Sequence, residues 1–146
     1  MSAKPAISKE IIAHDFAVAA HGKLEPEQID ATVSALTATT TAYPANGSVA
    51  SMIFYLKFQV TVKNGGKTFD GNAGGVSSPG GGALFGDVYT DDINRLYRDT
   101  VKFEFQGTPV YLSILFFDKS NHLLGHFQAG AVSTVLGIGG GKGSWS

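Results

Sequence analysis

A few residues of this 146-residue chain have types and spacings that could do chemistry. His122 and His126 are four apart, the spacing at which two imidazoles on one helix grip a single metal ion. The surrounding HLLGHFQAGA reads as strand, where that spacing separates them by roughly 13 Å at about 3.3 Å per residue, too far to share an ion. The chain has no cysteine, and the other two histidines, His14 and His21, lie near its start. No metal or cofactor is therefore expected, and the pair reads as solvent-facing strand residues that titrate at about pH 6 to 7.

The tail LGIGGGKGS has the look of a phosphate-cradling loop, but G-x-x-x-x-G-K-[ST] requires glycine where Leu136 stands and Ser or Thr where Gly143 stands. The three residues after Gly143 also leave no room for the helix whose N-terminus would meet the phosphate. A glycine turn between the last two strands is expected instead, with Trp145 closing one end of the fold. Asp91 and Asp92 sit where a helix begins and its dipole favours negative charge, which explains them better than acid and base roles do. Nor does a serine pair with a credible histidine and acid, so an enzyme ranks last among the functional classes.

The elements that would position such residues are mostly strands. In MIFYLKFQVTV, from Met52 to Val62, large apolar residues recur at every second position, which is strand periodicity with one wall facing a core. Asn64-Gly65-Gly66 marks a tight turn into KTFDGNAGGV, so a hairpin is expected. Turn signals then recur every 8 to 12 residues, implying about eight short strands in a closed antiparallel barrel or a sandwich. One helix is expected within this part, from Asp91 to Arg98, with Thr90 as its cap. Ahead of it, Ser8 to Ala20 and a segment opened by Pro26 read as two short helices. YPANGS reads as a boundary. The chain thus divides into an arm, residues 1–47, and a β domain, residues 48–146.

Parity places Phe54, Phe58, Phe103, Phe105, Phe116 and Phe127 inside, a filled interior rather than an open cup. In PVYLSILFF, Val110, Leu112, Ile114 and Phe116 point inward. Tyr111, Leu115 and Phe117 then point outward and, with Ile53, Tyr55 and Leu124, form a candidate apolar contact surface unless the arm or the helix covers them. With 11 Lys and Arg against 12 Asp and Glu, the chain has no basic footprint for nucleic acid.

Three strings carry a family resemblance: FGDVYTDDINRLYRDT, FFDKSNHLLGHFQAGAVSTV and the terminal GIGGGKGSWS. In this order they resemble the virulence-associated protein (Vap) family of pathogenic rhodococci over residues 48–146, and the arm resembles the family's variable N-terminal region only loosely. The resemblance implies an eight-stranded antiparallel β-barrel of Greek-key connectivity with one short helix, exported by a signal peptide this chain has lost. It further implies a non-enzymatic role in survival inside host macrophages, acting on the phagosome. Gly80 to Gly82 and Gly139 to Gly141 match the family's glycine-rich strand ends and are expected to be architectural. The reading is a secreted, monomeric, non-catalytic barrel that contacts a host protein or host membrane lipid through its outer surface. The rival reading is a carrier of a small hydrophobic ligand in the barrel interior. Acid-driven change through His122 and His126 is a further expectation to be tested.

Overall fold

The computed structural model describes residues 8–38, 41–74, 79–132 and 134–146. Two helices come first, α1 (Lys9–Ala20) and α2 (Pro26–Ala38). Eight strands then follow, β1 (Ala42–Ser51), β2 (Tyr55–Val62), β3 (Thr68–Gly74), β4 (Gly80–Tyr89), β5 (Lys102–Gly107), β6 (Tyr111–Phe117), β7 (Leu123–Gly130) and β8 (Gly137–Trp145), with α3 (Ile93–Asp99) between β4 and β5. The strands close into a barrel in the order β1-β2-β3-β8-β5-β6-β7-β4, every neighbouring pair antiparallel.

The expected helix starts hold, with Ser8 at the cap position of α1 and Pro26 opening α2. α3 is capped by Asp92, whose carboxylate accepts from the Arg95 backbone N–H at 3.1 Å, rather than by Thr90. Thr90 is instead buried, its hydroxyl donating to the Leu124 carbonyl at 2.8 Å. YPANGS is not a boundary: it lies within β1, which pairs with β2 and β4 along its length. Its proline falls where no break is needed, because β1 is extended and Pro44 contributes its carbonyl, which accepts from Lys63 N–H at 2.9 Å.

Alternation works as expected along β2, where Leu56, Phe58, Val60 and Val62 are buried. It fails before the strand begins. Met52 and Phe54 continue the parity in sequence but lie in the β1–β2 turn, and Phe54, expected inside, is 71% exposed. The barrel is filled by Phe58, Phe69, Phe103, Phe105, Phe116 and Phe127, with ring centroids 4.8 to 5.5 Å apart among the contacting pairs of Phe58, Phe69, Phe103, Phe105, Phe116 and Trp145. These are edge and tilted packings that add to area burial.

The last glycine run is not a turn: it is β8 itself. Its glycines make space for rings. A Cβ at Gly139 would stand 2.7 Å from the Phe105 ring, and one at Gly143 would overlap Phe69. On β3, a Cβ at Gly71 would stand 2.6 Å from Phe69 and 2.7 Å from Phe103. A barrel this narrow holds so many aromatic rings only where the facing strand positions are bare. Trp145 closes one end as expected, packed against Phe69, Phe116 and Tyr97 of α3.

Candidate functional site

Closure with antiparallel neighbours puts the β1–β2, β5–β6 and β7–β8 connections, the end of β3 and the start of β4 at one end of the barrel, and the β2–β3 hairpin, α3 and the β6–β7 turn at the other. The two ends differ in kind. Connections 52–54, 75–79, 108–110 and 131–136 contain no Asp, Glu, Lys, Arg or His. The opposite end carries Lys63 and Lys67 in its hairpin, five charges in and around α3, and Asp118 with Lys119 in the β6–β7 turn. Arg95 bridges Asp99 at 3.8 Å and Asp118 at 3.7 Å there, and His122 meets Asp118 at 3.0 Å.

The uncharged end also exposes apolar side chains. Met52, Ile53, Phe54 and Tyr55 stand out of the β1–β2 turn and Leu136 out of the β7–β8 connection, and Val110, expected inward, stands out of the β5–β6 connection because β6 begins only at Tyr111. The turn is tight for a physical reason. Phe54 N–H donates to the Met52 carbonyl at 2.9 Å and Met52 N–H to the Tyr55 carbonyl at 2.8 Å, with Ile53 between them at φ +74°. That is a γ-turn of the strained hand, and a β-branched residue there is an outlier whose neighbours must hold it. It breaks the strand parity and throws Phe54 outward.

Of the candidate contact residues, Ile53 and Tyr55 are therefore exposed together at this end. The other four are not on any surface. Tyr111, Leu115 and Phe117 do point out of the barrel, and the arm covers them: they form a second core with Ile12, Ala13, Phe16 and Ala20 of α1 and Leu36 of α2. The gap left where α1 meets Leu115 is about 10 Å³, no more than one water could fill. Leu124 belongs to the barrel core, because the register shift between Phe116 and Phe117 turns it inward. Tyr111 ties the covering in place, donating its hydroxyl to Asp15 at 2.6 Å, and burial together with that carboxylate pushes the phenol well above its ordinary range.

His126 is a second correction: it is not solvent-facing but fully buried beneath the arm. Its ring stacks on Tyr89 at 5.0 Å, and Nδ1 lies 2.8 Å from the Gln128 amide, which also donates to Ser113 at 2.9 Å. Among the described residues Nε2 has no hydrogen-bond partner. Burial first, and then the Lys9 ammonium of α1, push the imidazole down to about 4, against the weaker pull of the Leu36 carbonyl. His122 lies outside the strand and is exposed, so the two imidazoles never share an environment.

Glu104 on the outer face of β5 is held above the usual carboxylate range by burial, with Lys102 opposing. It borders two troughs of about 240 and 280 Å³ that also touch Leu24 and the bare backbone at Gly140. Among the described residues no group of three or more His, Cys, Asp or Glu could hold a metal ion, and no helix is long and apolar enough to cross a membrane.

Fold and surface together define a class: a small closed antiparallel barrel with an aromatic-packed interior and an uncharged, apolar end. The family model described as Rhodococcus equi virulence-associated protein matches residues 2–146, and the chain belongs to that family. Among solved structures it is similar to virulence-associated protein VapB from the intracellular pathogen Rhodococcus equi, at 49% identity and a TM-score of 0.70 over 73% of this chain and 96% of that one. It is likewise similar to VapD from the same organism, at 44% identity and a TM-score of 0.69 over 73% of this chain and 97% of that one. No curated protein matches.

Proposed function

We propose that this protein is a secreted, non-catalytic virulence factor that supports survival in host macrophages, acting at the phagosome through contacts of its outer surface. The observation that carries this reading is the division of its surface and interior. The interior is occupied by packed phenylalanine rings, so it offers little room for a carried ligand, and carriers enclose cavities of about 300 Å³ or more. What remains to meet a partner is the outside. There the arm hides one apolar face while the uncharged end leaves another open.

A deletion strain tests the reading. Complementation by the wild-type gene should restore intracellular replication in macrophages, and complementation by a Met52→Ser, Phe54→Ser gene should not, although both proteins reach the culture supernatant in equal amount. Replication restored equally by both genes would refute the role of this end. Absence of both proteins from the supernatant would refute secretion.

A further inference from the structure

The exposed apolar residues at the uncharged end come from three separate connections, β1–β2, β5–β6 and β7–β8. Met52 is 58% exposed, Phe54 71%, Val110 66% and Leu136 56%. Elsewhere the exposed large apolar residues, Ile11, Val18, Phe85 and Val101, are dispersed over α1, β4 and the start of β5. Isolated apolar residues on a surface are ordinary, whereas several on the connections at one end of a barrel mark an interaction site.

Resting on the reading that the protein works by surface contact, we propose that this end is a lipid-insertion surface. Met52, Ile53, Phe54, Val110 and Leu136 enter the interfacial and upper acyl region of a bilayer, and Tyr55 lies at the headgroup level. Charge selects this occupant. Hydrocarbon accepts no ionised group cheaply, and the described residues of the connections at this end, 52–54, 108–110, 131–132 and 134–136, include none. The core of a protein interface is ringed by a polar and usually charged rim, whereas charges border this end only below its tips, at Lys57 and at Asp15 beside Tyr111.

The nearest cation on β2, Lys57, lies two residues below Tyr55 on the same outward face, where its stem can run along the strand and its ammonium reach the headgroups. The hydroxyl of Tyr55, which donates to Asn72 at 2.6 Å, keeps a polar tip beside an apolar ring, as residues at bilayer interfaces do. The Ile53 γ-turn has a purpose in this arrangement. It spends backbone strain to point three consecutive apolar side chains away from the barrel instead of letting Phe54 fold back into it.

Insertion of this kind depends on apolar area and hardly on headgroup charge, which separates it from attraction of a basic patch to anionic lipid. The test is co-sedimentation of the full chain with vesicles of pure phosphatidylcholine and of phosphatidylcholine with phosphatidylserine, at low and high salt. Binding to both that survives high salt is expected, weakened at least about tenfold by Met52→Ser with Phe54→Ser, and similarly by Val110→Ser with Leu136→Ser from the other connections. A Phe54→Trp variant reports depth. Its fluorescence should be quenched by bromine-labelled phosphatidylcholine while buried Trp145, at the other end of the barrel, is not.

The proposal is overturned by no binding to either vesicle, by binding to anionic vesicles alone that high salt removes, by binding that the Ser variants leave unchanged, or by no quenching in Phe54→Trp. Urea unfolding of each variant confirms that these exposed substitutions leave the fold intact. If vesicle binding is absent while the Met52→Ser, Phe54→Ser gene still fails in macrophages, the lipid assignment falls and the surface reading stands. A concentration-dependent dimer that the same substitutions abolish would name a second copy as the occupant instead and equally remove the lipid assignment.

Discussion

Acidification should loosen the arm from the barrel, and His126 is the group through which it acts. Burial lowers the pKa of the ring to about 4 in the folded protein, against 6.5 when free. The unfolded or undocked chain therefore takes up the proton first as pH falls. Stability contributed by keeping the ring neutral is whole above 6.5 and declines between 6.5 and about 4. At pH 5 the linkage favours the opened state about 30-fold, or about 2 kcal/mol, a sizeable part of an ordinary domain's stability. Of the groups facing the ring, the Lys9 ammonium on α1 repels a charge and the Gln128 amide on β7 donates to Nδ1, while the Leu36 carbonyl on α2 favours a charge more weakly and Tyr89 on β4 stacks against the ring. Released helices would uncover Tyr111, Leu115 and Phe117. Urea unfolding of wild type and His126→Gln at pH 7.5 and pH 5 measures the effect, with hydrogen exchange of α1 and α2 amides reporting where opening occurs. Wild type should lose about 2 kcal/mol more than the variant over that interval. Equal losses in the two proteins, or exchange that is unchanged in the helices, would refute the reasoning.

Three other outcomes are expected. Gly143→Ala puts a methyl group into the Phe69 ring and should cost about 1 to 3 kcal/mol in urea unfolding, whereas Gly74→Ala, which meets nothing within 4 Å, should cost little. Ile53→Gly relieves the φ +74° strain and should raise stability by about 1 kcal/mol, the sign opposite to that of most glycine substitutions. Tyr111→Phe removes the hydroxyl bonded to Asp15 and should raise hydrogen exchange in α1 several-fold, at a cost of about 1 kcal/mol, while leaving β2 amides protected.

Strand alternation was readable wherever a strand has one wet face. Lys57, Gln59 and Thr61 against Leu56, Phe58, Val60 and Val62 define β2 without coordinates, and Asn64-Gly65 supplies the positive φ its hairpin needs. Phe69 was missed as a core residue because its strand carries no other large apolar side chain. The signal was there in parity: Phe69, Gly71 and Ala73 share a face on which one ring takes the room of two small neighbours. β6 is buried on every residue, and its doubly apolar pattern says so in advance. It does not say what covers the outer face. That depended on the arm folding back, a contact between residues nearly 100 apart in sequence such as Asp15 and Tyr111.

By itself, then, the sequence determined the all-β architecture, the two N-terminal helices and the ring-filled interior, because each follows from neighbours one to four residues apart. Only the tertiary structure decided which strands adjoin, with β8 inserted between β3 and β5, and hence that the uncharged β1–β2, β5–β6 and β7–β8 connections lie at one end. It also decided that His126 lies beneath a helix instead of in water and that Phe54 points out instead of in. Local pattern records which face of a strand is apolar, but burial and the resulting shift of an ionisable group depend on long-range closure, which no short window contains.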